Sequence, residues 1–294
     1  MSDGMKLLIK PISKEIDSYI KKGNDSFLFG LKGFTAFSSC DLTLKELKNL
    51  QLKYPNINLF VLLDKNIFEK DLNKLLEALK ELAILKLSGL FFYDLAVLNM
   101  TLDNQLDLPL IWNQNFLVTN ANTCNYYQTF GVKGAVISSE LEISEIEEIL
   151  DLSKIPCYVN IFGYQLMAFS KRKLVSSYYT YLKEDKKSKS KEHLMFEKGK
   201  AFPVLEKEAG TSFLTEKVLD GILYLKNLQK SAYLILNEYG LSKHTFSKVL
   251  NIYNQALNDL DNLKVYDQKL AKIIKNRSVG FFDHKTIYKV KNYE

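Results

Sequence analysis

The chain has 294 residues, of which 47% are hydrophobic and 25% charged. This ordinary balance excludes a disordered chain, a collagen-like chain and a coiled coil. Forty Lys and Arg residues stand against 34 Asp and Glu, so the formal net charge is +6. That charge permits a polyanionic partner without requiring one, because AT-rich codon usage also enriches lysine.

Cysteines and histidines are few and scattered. They are Cys40, Cys124, Cys157, His193, His244 and His284. An odd, sparse set of cysteines without CxxC spacing is typical of a reducing compartment. We expect neither a metal site nor a histidine-based catalytic triad from this spacing.

We expect no membrane segment and no membrane partner. The most apolar stretch, 82–100, is interrupted by Lys86 and Asp94 and is too short and too charged to cross a bilayer. No apolar core behind a basic start follows Met1, so no signal peptide is expected either. These features together predict a cytoplasmic protein.

Short apolar runs alternate with amphipathic helical patterns along most of the chain. The runs predict eight strands, at 5–10, 26–30, 57–63, 89–93, 108–112, 134–137, 156–162 and 233–236. The helical patterns cover 14–22, 69–82 and 122–130, and two further helices open with capping boxes at 43–46 and 144–147. Continuous apolar strands between helices indicate a buried parallel sheet.

Eight such strands predict an α/β fold of the (β/α)8, TIM-barrel-like type. A doubly wound open sheet is the alternative, although the chain has neither the GxGxxG fingerprint behind the first strand nor a Walker loop. The barrel-like domain is predicted to cover 1–260. Residues 184–191 carry no apolar side chain, which predicts a lysine-rich loop or insertion at 183–200. The alternation of apolar runs and helical patterns ends near 261, so 261–294 is predicted to be a small C-terminal tail or hairpin.

Two carboxylates at strand ends are the candidate catalytic residues. The working face of a barrel is built from the C-terminal ends of its strands. Asp94 follows the fourth predicted strand and Glu140 the sixth. Carboxylates on nearby strands can shift each other's pKa and divide the roles of acid and base. The alternative is that Asp94 caps the next helix and Glu140 pairs with a lysine.

Four polar side chains at strand ends are candidates for binding a substrate. They are Gln114, Asn115, Ser139 and Asn237. Amides and hydroxyls can hydrogen-bond a polar ligand, and the alternative is that they satisfy the backbone of local turns.

A basic segment after the seventh predicted strand is the candidate RNA contact. Its cations are Lys171, Arg172, Lys173, Lys186, Lys187 and Lys189. Three tyrosines, at 178, 179 and 181, lie between them. Cations interleaved with aromatic rings can hold phosphates and stack on bases. The alternative is a solvated helix face whose tyrosines pack inward.

Six short motifs follow one another along the chain. They are FGLKGF at 29–34, LTLKEL at 42–47, YDLAVL at 93–98, Gln114 with VTN at 118–120, SSEL at 138–141 with Ile146, and Asn276-Arg277 with Gly280-Phe281. Their order and spacing over roughly residues 5 to 290 resemble the collagenase-like peptidase family U-32. The fourth and sixth motifs are similar to the family's "QxxVTN" element and its late "NRGFTTGF" element.

The departures from that family are equally informative. Where the family has Glu, His and two cysteines after strand seven, this chain has Tyr158, Phe162, Leu166 and Lys173, and no cysteine follows Cys157. In cysteine-bearing relatives these thiolates hold an iron–sulfur cluster, and neither Leu nor Lys can replace a thiolate. The resemblance therefore implies that this chain holds no cluster.

The resemblance also implies a function. Short paralogues of this kind accompany a longer, cysteine-bearing paralogue, which suggests a cluster-less subunit in prephenate-dependent 5-hydroxylation of the tRNA wobble uridine. The partners would then be that paralogue and tRNA, with no role for DNA. Two alternatives stay open: a peptidase or other hydrolase, as the family name implies, and a barrel that binds a small carboxylate without catalysis.

Overall fold

The computed structural model describes residues 5–114, 116–183 and 192–284. Its strands are β1 (Lys6–Lys10), β2 (Ser26–Leu31), β3 (Asp41–Leu42), β4 (Asn58–Leu63), β5 (Gly89–Phe92), β6 (Leu110–Trp112), β7 (Gly134–Val136), β8 (Cys157–Gly163), β9 (Leu166–Ser170), β10 (Glu192–Glu197), β11 (Lys200–Lys207), β12 (Gly210–Leu214), β13 (Val218–Asp220), β14 (Tyr233–Asn237) and β15 (Arg277–Ser278). The helices are α1 (Asp17–Ile20), α2 (Leu44–Lys53), α3 (Leu72–Ala83), α4 (Leu95–Asp103), α5 (Ala121–Gln128), α6 (Ile143–Leu152), α7 (Leu174–Tyr181), α8 (Lys243–Leu257) and α9 (Leu263–Ile273).

Eight parallel strands form a closed barrel. The order is β14-β1-β2-β4-β5-β6-β7-β8, and β8 pairs in parallel with β14 to complete the circle. Closure leaves no free edge in the ring of these eight strands, which distinguishes it from a doubly wound open sheet. The predicted (β/α)8 barrel is confirmed, with all eight predicted strands in place.

The core has two layers separated by the wall of the barrel. The interior is filled by Leu8, Leu28, Phe60, Leu62, Phe91, Ile111, Val136, Tyr158 and Ile235. Side chains of the opposite register, such as Ile9, Phe29 and Val61, pack under the helices. Because both faces of each strand are buried, the strands read as continuous apolar runs rather than alternating ones.

One predicted capping box is confirmed and the other is displaced. The hydroxyl of Thr43 accepts the N–H of Glu46 at 3.2 Å, and the Glu46 carboxylate accepts the N–H of Thr43 at 3.0 Å. The box predicted at Ser144 was wrong by two residues. Helix α6 begins directly after Glu142, and the N–H of Glu142 donates to Glu145 at 3.0 Å. Glutamate in place of the usual Ser or Thr explains why the pattern was misread.

A small antiparallel sheet is inserted between β8 and β14 and covers the C-terminal mouth of the barrel. Its order is β10-β11-β12-β9. Leu205 and Leu214 of this sheet pack against Phe37 and Tyr239 of the barrel loops. The lysine-rich loop or insertion predicted at 183–200 falls within this inserted region, where β10 and the start of β11 occupy 192–200. The rest of that loop, 184–191, lies outside the described residues.

The described part of the predicted C-terminal tail or hairpin, 261–284, forms helix α9 and the short strand β15. Leu263, Tyr266 and Leu270 bury one face of α9, which packs beside α8. Strand β15 then pairs with β13, and Phe282 is buried. The described residues of this segment therefore pack against the barrel core, and 285–294 lies outside the described residues. No helix in the described ranges is long and apolar enough to span a bilayer.

Candidate functional site at the mouth of the barrel

A layer of polar side chains lies just above the apolar interior of the barrel. Along each strand, every second residue faces the interior. The residue two positions after an interior side chain therefore also faces inward, at the end of its strand. These residues are Lys10, Asp64, Asn113, Asn160 and Asn237, and all five line one cavity. Sequence reasoning named Asn237 as a site residue but did not select the other four.

This cavity is small and covered. Its volume is about 40 Å³, which holds a few water molecules rather than a metabolite, since ligand pockets usually have about 300–1,000 Å³. Phe37, Tyr164 and Leu166 line its outer side and belong to the contact between barrel and small sheet.

Lys10 and Asp64 are the charged groups of this cavity. Burial lowers the pKa of Lys10, while Asp64 favours its charged form. Burial raises the pKa of Asp64, opposed by Lys10 and by the N–H groups of Ala36 and Phe37, which donate to its two oxygens at 2.7 and 3.1 Å. The Lys10 ammonium also lies 5.0 Å from the centre of the Phe37 ring. The pair therefore ties the loop after β2 to the barrel.

Asp94 acts as a helix cap. Its Oδ1 accepts the N–H of Ala96 at 2.9 Å, and its Oδ2 accepts the N–H of Ile67 at 2.8 Å. Glu140 is exposed and lines a different groove, of about 510 Å³, with Ser139. No hydrogen bond among the described residues joins the two carboxylates. The structure thus shows the capping alternative for Asp94 and does not assemble the expected acid–base pair.

The predicted substrate-binding side chains do not share one pocket. The Gln114 amide donates to the carbonyl of Tyr93 at 2.8 Å, which fixes the turn after β5. Ser139 lies in the groove of Glu140, and Asn115 lies outside the described residues. The Gln114 side chain therefore satisfies a backbone carbonyl of a local turn, as the alternative interpretation predicts.

Asn237 is the predicted site residue that does reach the mouth cavity. It is buried, and its Oδ1 accepts the Ser39 hydroxyl at 2.8 Å and the N–H of Tyr239 at 3.2 Å. Its amide nitrogen donates to the carbonyl of Tyr164 at 3.3 Å. The side chain therefore holds three loops together over the mouth.

The three described cations of the basic segment are exposed at the connection from β9 to α7. Lys171 points its ammonium at Phe68, 4.8 Å from the ring centre, and Lys173 precedes the first turn of α7. Tyr178 and Tyr181 are 59% and 82% exposed, so the inward-packing alternative fails for these two tyrosines. The predicted cations Lys186, Lys187 and Lys189 lie outside the described residues.

The two positions matched to the family's first cluster cysteines cannot bind iron. Leu166 lines the mouth cavity, and Lys173 is exposed at the start of α7. A hydrocarbon and an ammonium group do not fit the thiolate requirement of a cluster. Within the described ranges, no three His, Cys, Asp or Glu side chains come together as a metal ion would require.

Comparison with known proteins agrees with this architecture. The model of peptidase family U32 matches residues 13–291. The tRNA hydroxylation protein P2 of Bacillus subtilis (strain 168) is 27% identical over 96% of this chain and 98% of its own length. A solved structure of a U32 peptidase superposes with a TM-score of 0.50 at 11% identity, over 82% of this chain and 95% of its own, and supports the fold. The chain belongs to peptidase family U32.

Proposed function

We propose that this protein acts in the hydroxylation of tRNA, as the cluster-less partner of a cysteine-bearing paralogue. The observation that carries the proposal is the similarity to tRNA hydroxylation protein P2, which extends over 96% of this chain and 98% of that protein. A match over almost the full length of both chains supports a shared role more strongly than a match to one module would.

The proposed reaction is prephenate-dependent 5-hydroxylation of the wobble uridine, carried out in the cytoplasm. Replacing a C–H bond by C–OH is an oxidation. A cluster requires thiolates, and Leu166 and Lys173 stand at two of its expected positions. The cluster in this proposal therefore belongs to the paralogue, and this chain contributes to binding and positioning the RNA.

The mouth of the barrel supports such a positioning role. The cavity of about 40 Å³ leaves no room for prephenate or a nucleobase in this conformation. The polar groups around it hold loops together, as Asp64 does for Ala36 and Phe37. The hypothesis of a barrel that only binds a small carboxylate is therefore less well supported. The hydrolase hypothesis is also weakened, because both oxygens of its candidate catalytic residue Asp94 accept backbone N–H groups.

Mass spectrometry of tRNA nucleosides tests the proposal. A strain without this gene should lack 5-hydroxyuridine derivatives in tRNAs with a wobble uridine, and a plasmid copy should restore them. Other modified nucleosides of the same tRNAs serve as the internal control. A normal amount of the hydroxylated nucleosides in the deletion strain, in a background without a second short paralogue, would refute the role.

Co-purification tests the proposed partnership. The chain and the cysteine-bearing paralogue should elute as one complex when they are expressed together under anaerobic conditions. Iron and acid-labile sulfide should follow the paralogue when each protein is purified alone. Iron bound stoichiometrically by this chain alone would contradict the proposed division of labour.

A further inference from the structure

A lysine-lined groove runs along the rim of the barrel, between the strand ends and the small sheet. It has a volume of about 630 Å³. Its cations come from four separate parts of the chain: Lys32 after β2; Lys65, Lys70 and Lys74 from the end of β4 to the start of α3; Lys171 after β9; and Lys207 at the end of β11. The fold gathers these lysines, since no two of the four parts are adjacent in sequence.

The groove is positive on balance, because its six lysines face four carboxylates, those of Asp41, Asp71, Glu206 and Glu208. Lys207 pairs with Asp41 at 2.6 Å and Lys65 with Asp71 at 3.6 Å. Across the described residues, no carboxylate lies within 4.0 Å of the other four groove ammonium groups. These are Lys32, Lys70, Lys74 and Lys171, and all four are exposed. Like charges gathered in one groove repel each other, so a bound polyanion would stabilise the arrangement.

An exposed aromatic ring lies in the same groove. Phe68 is 44% exposed, and the ammonium groups of Lys70 and Lys171 lie 6.0 and 4.8 Å from its ring centre. A phenyl ring with cations beside it can stack on an unpaired base while the cations contact the flanking phosphates. Because Phe68 lines the groove together with these cations, we favour a nucleic acid over an acidic lipid surface, which offers no base for the ring to stack on.

We infer that this groove binds the sugar-phosphate backbone of a single-stranded segment of RNA, with Phe68 stacking on one base. The inference rests on the proposed function, because it names the surface through which this chain would hold tRNA. It lies at the C-terminal end of the barrel strands, which is where barrel proteins bind their ligands.

Titration of tRNA against salt concentration tests the inference. The groove variant Lys32→Gln/Lys74→Gln/Lys171→Gln removes three unpaired cations. The matched control Lys133→Gln/Lys248→Gln/Lys264→Gln removes three exposed lysines from the opposite end of a strand and from α8 and α9. Both carry the same net charge, and equal melting temperatures show that both are folded.

The probe is a fluorescent tRNA transcript with a wobble uridine, measured by anisotropy from 50 to 300 mM salt, with the chain alone and with its co-purified paralogue. Each lost phosphate contact to a single strand reduces the slope of log Kobs against log salt by about 0.7. The groove variant should therefore lose about 2 from that slope, and the control should keep the wild-type slope. Phe68→Ala should weaken binding about tenfold with little change in slope, since stacking is not ionic.

Two results would overturn the inference. One is equal affinity and slope for the groove variant and the control. The other is no tRNA binding by the wild-type protein in either form, with binding to phosphatidylserine vesicles instead. The inference and the proposed function can fail separately: loss of tRNA binding in the groove variant, together with normal wobble hydroxylation in a deletion strain, would keep the groove and refute the role in hydroxylation.

Discussion

Arg277 fastens the C-terminal segment to the barrel, and replacing it with Met tests how much that contact contributes. Its guanidinium lies 2.5 Å from Asp220 and 2.5 Å from Asp267, and it also donates to the carbonyl of Asp267 at 3.2 Å. Asp220 is almost fully buried at 2% exposure. Its other oxygen accepts the Tyr253 hydroxyl at 2.8 Å and the N–H of Ile222 at 3.2 Å.

Removal of the arginine leaves Asp220 buried without an opposite charge. Breaking a buried ion pair from one side costs about 3–5 kcal/mol. The hydrogen bonds from Tyr253 and Ile222 remain, so we expect the lower end, about 3 kcal/mol, for Arg277→Met. In a chain of this size that loss lowers Tm by roughly 5 °C.

The loss should depend on pH. Burial raises the pKa of Asp220, and Tyr253 and Arg277 oppose this effect. Without Arg277 the pKa of Asp220 rises further. The variant therefore loses most stability at pH values where the Asp220 carboxyl is charged. The loss should be largest above the raised pKa and should shrink as the pH falls through it.

Urea unfolding of wild type and variant at pH 7.5 and pH 5 measures both effects. The double variant Asp220→Asn/Arg277→Met is the control, since a neutral amide needs no counter-charge, and it should recover part of the loss at pH 7.5. A loss below about 1 kcal/mol at pH 7.5, equal at both pH values, would refute the reasoning.

Three further substitutions test other parts of the fold through urea unfolding. A Cβ at Gly30 would lie 2.4 Å from the Asp41 carboxylate and 2.6 Å from the Ser38 hydroxyl, so Gly30→Ala should cost about 1–3 kcal/mol, and an unchanged free energy of unfolding would show that the loop yields freely. Thr43→Ala removes the cap of α2 and should cost about 1 kcal/mol, whereas no loss would mean that the cap is dispensable. Burial raises the pKa of Glu238 above its ordinary 4.5, so stability present below that value is lost as the pH rises through the folded pKa. The unfolding free energy of the wild type minus that of Glu238→Gln should therefore fall from pH 4 to pH 8, and a constant difference would contradict this sign.

The barrel was predictable because its signal is local. Each strand is a short apolar run between helical patterns, and β8, for example, lies within one residue of its predicted bounds of 156–162. Burial on both faces of the sheet produces such runs whatever the rest of the chain does. Strand β10 was not predicted because its apolar run covers only residues 194–196, directly after the lysine-rich segment.

The site was less predictable because its contacts are between distant segments. An aspartate at a strand end fits a catalytic base and a helix cap equally well, and only the contacts of Asp94 with Ala96 and Ile67 decide between them. The position of Lys10 facing the cavity follows from the register of a closed barrel, and the continuation of period two past Leu8 was the available signal. Lys74 and Lys171 line the same groove. The sequence does not predict this, because only the folding of distant segments brings the two lysines to one place.

The most direct test of the whole account is the amount of 5-hydroxyuridine derivatives in tRNA from a deletion strain complemented with three versions of the chain. We predict that the wild type and the control variant, Lys133→Gln/Lys248→Gln/Lys264→Gln, restore the modification. We predict that the groove variant, Lys32→Gln/Lys74→Gln/Lys171→Gln, restores much less at equal protein level. Equal restoration by all three would contradict the role of the groove, and an unmodified nucleoside profile in the deletion strain itself, indistinguishable from wild type, would contradict the role in tRNA hydroxylation.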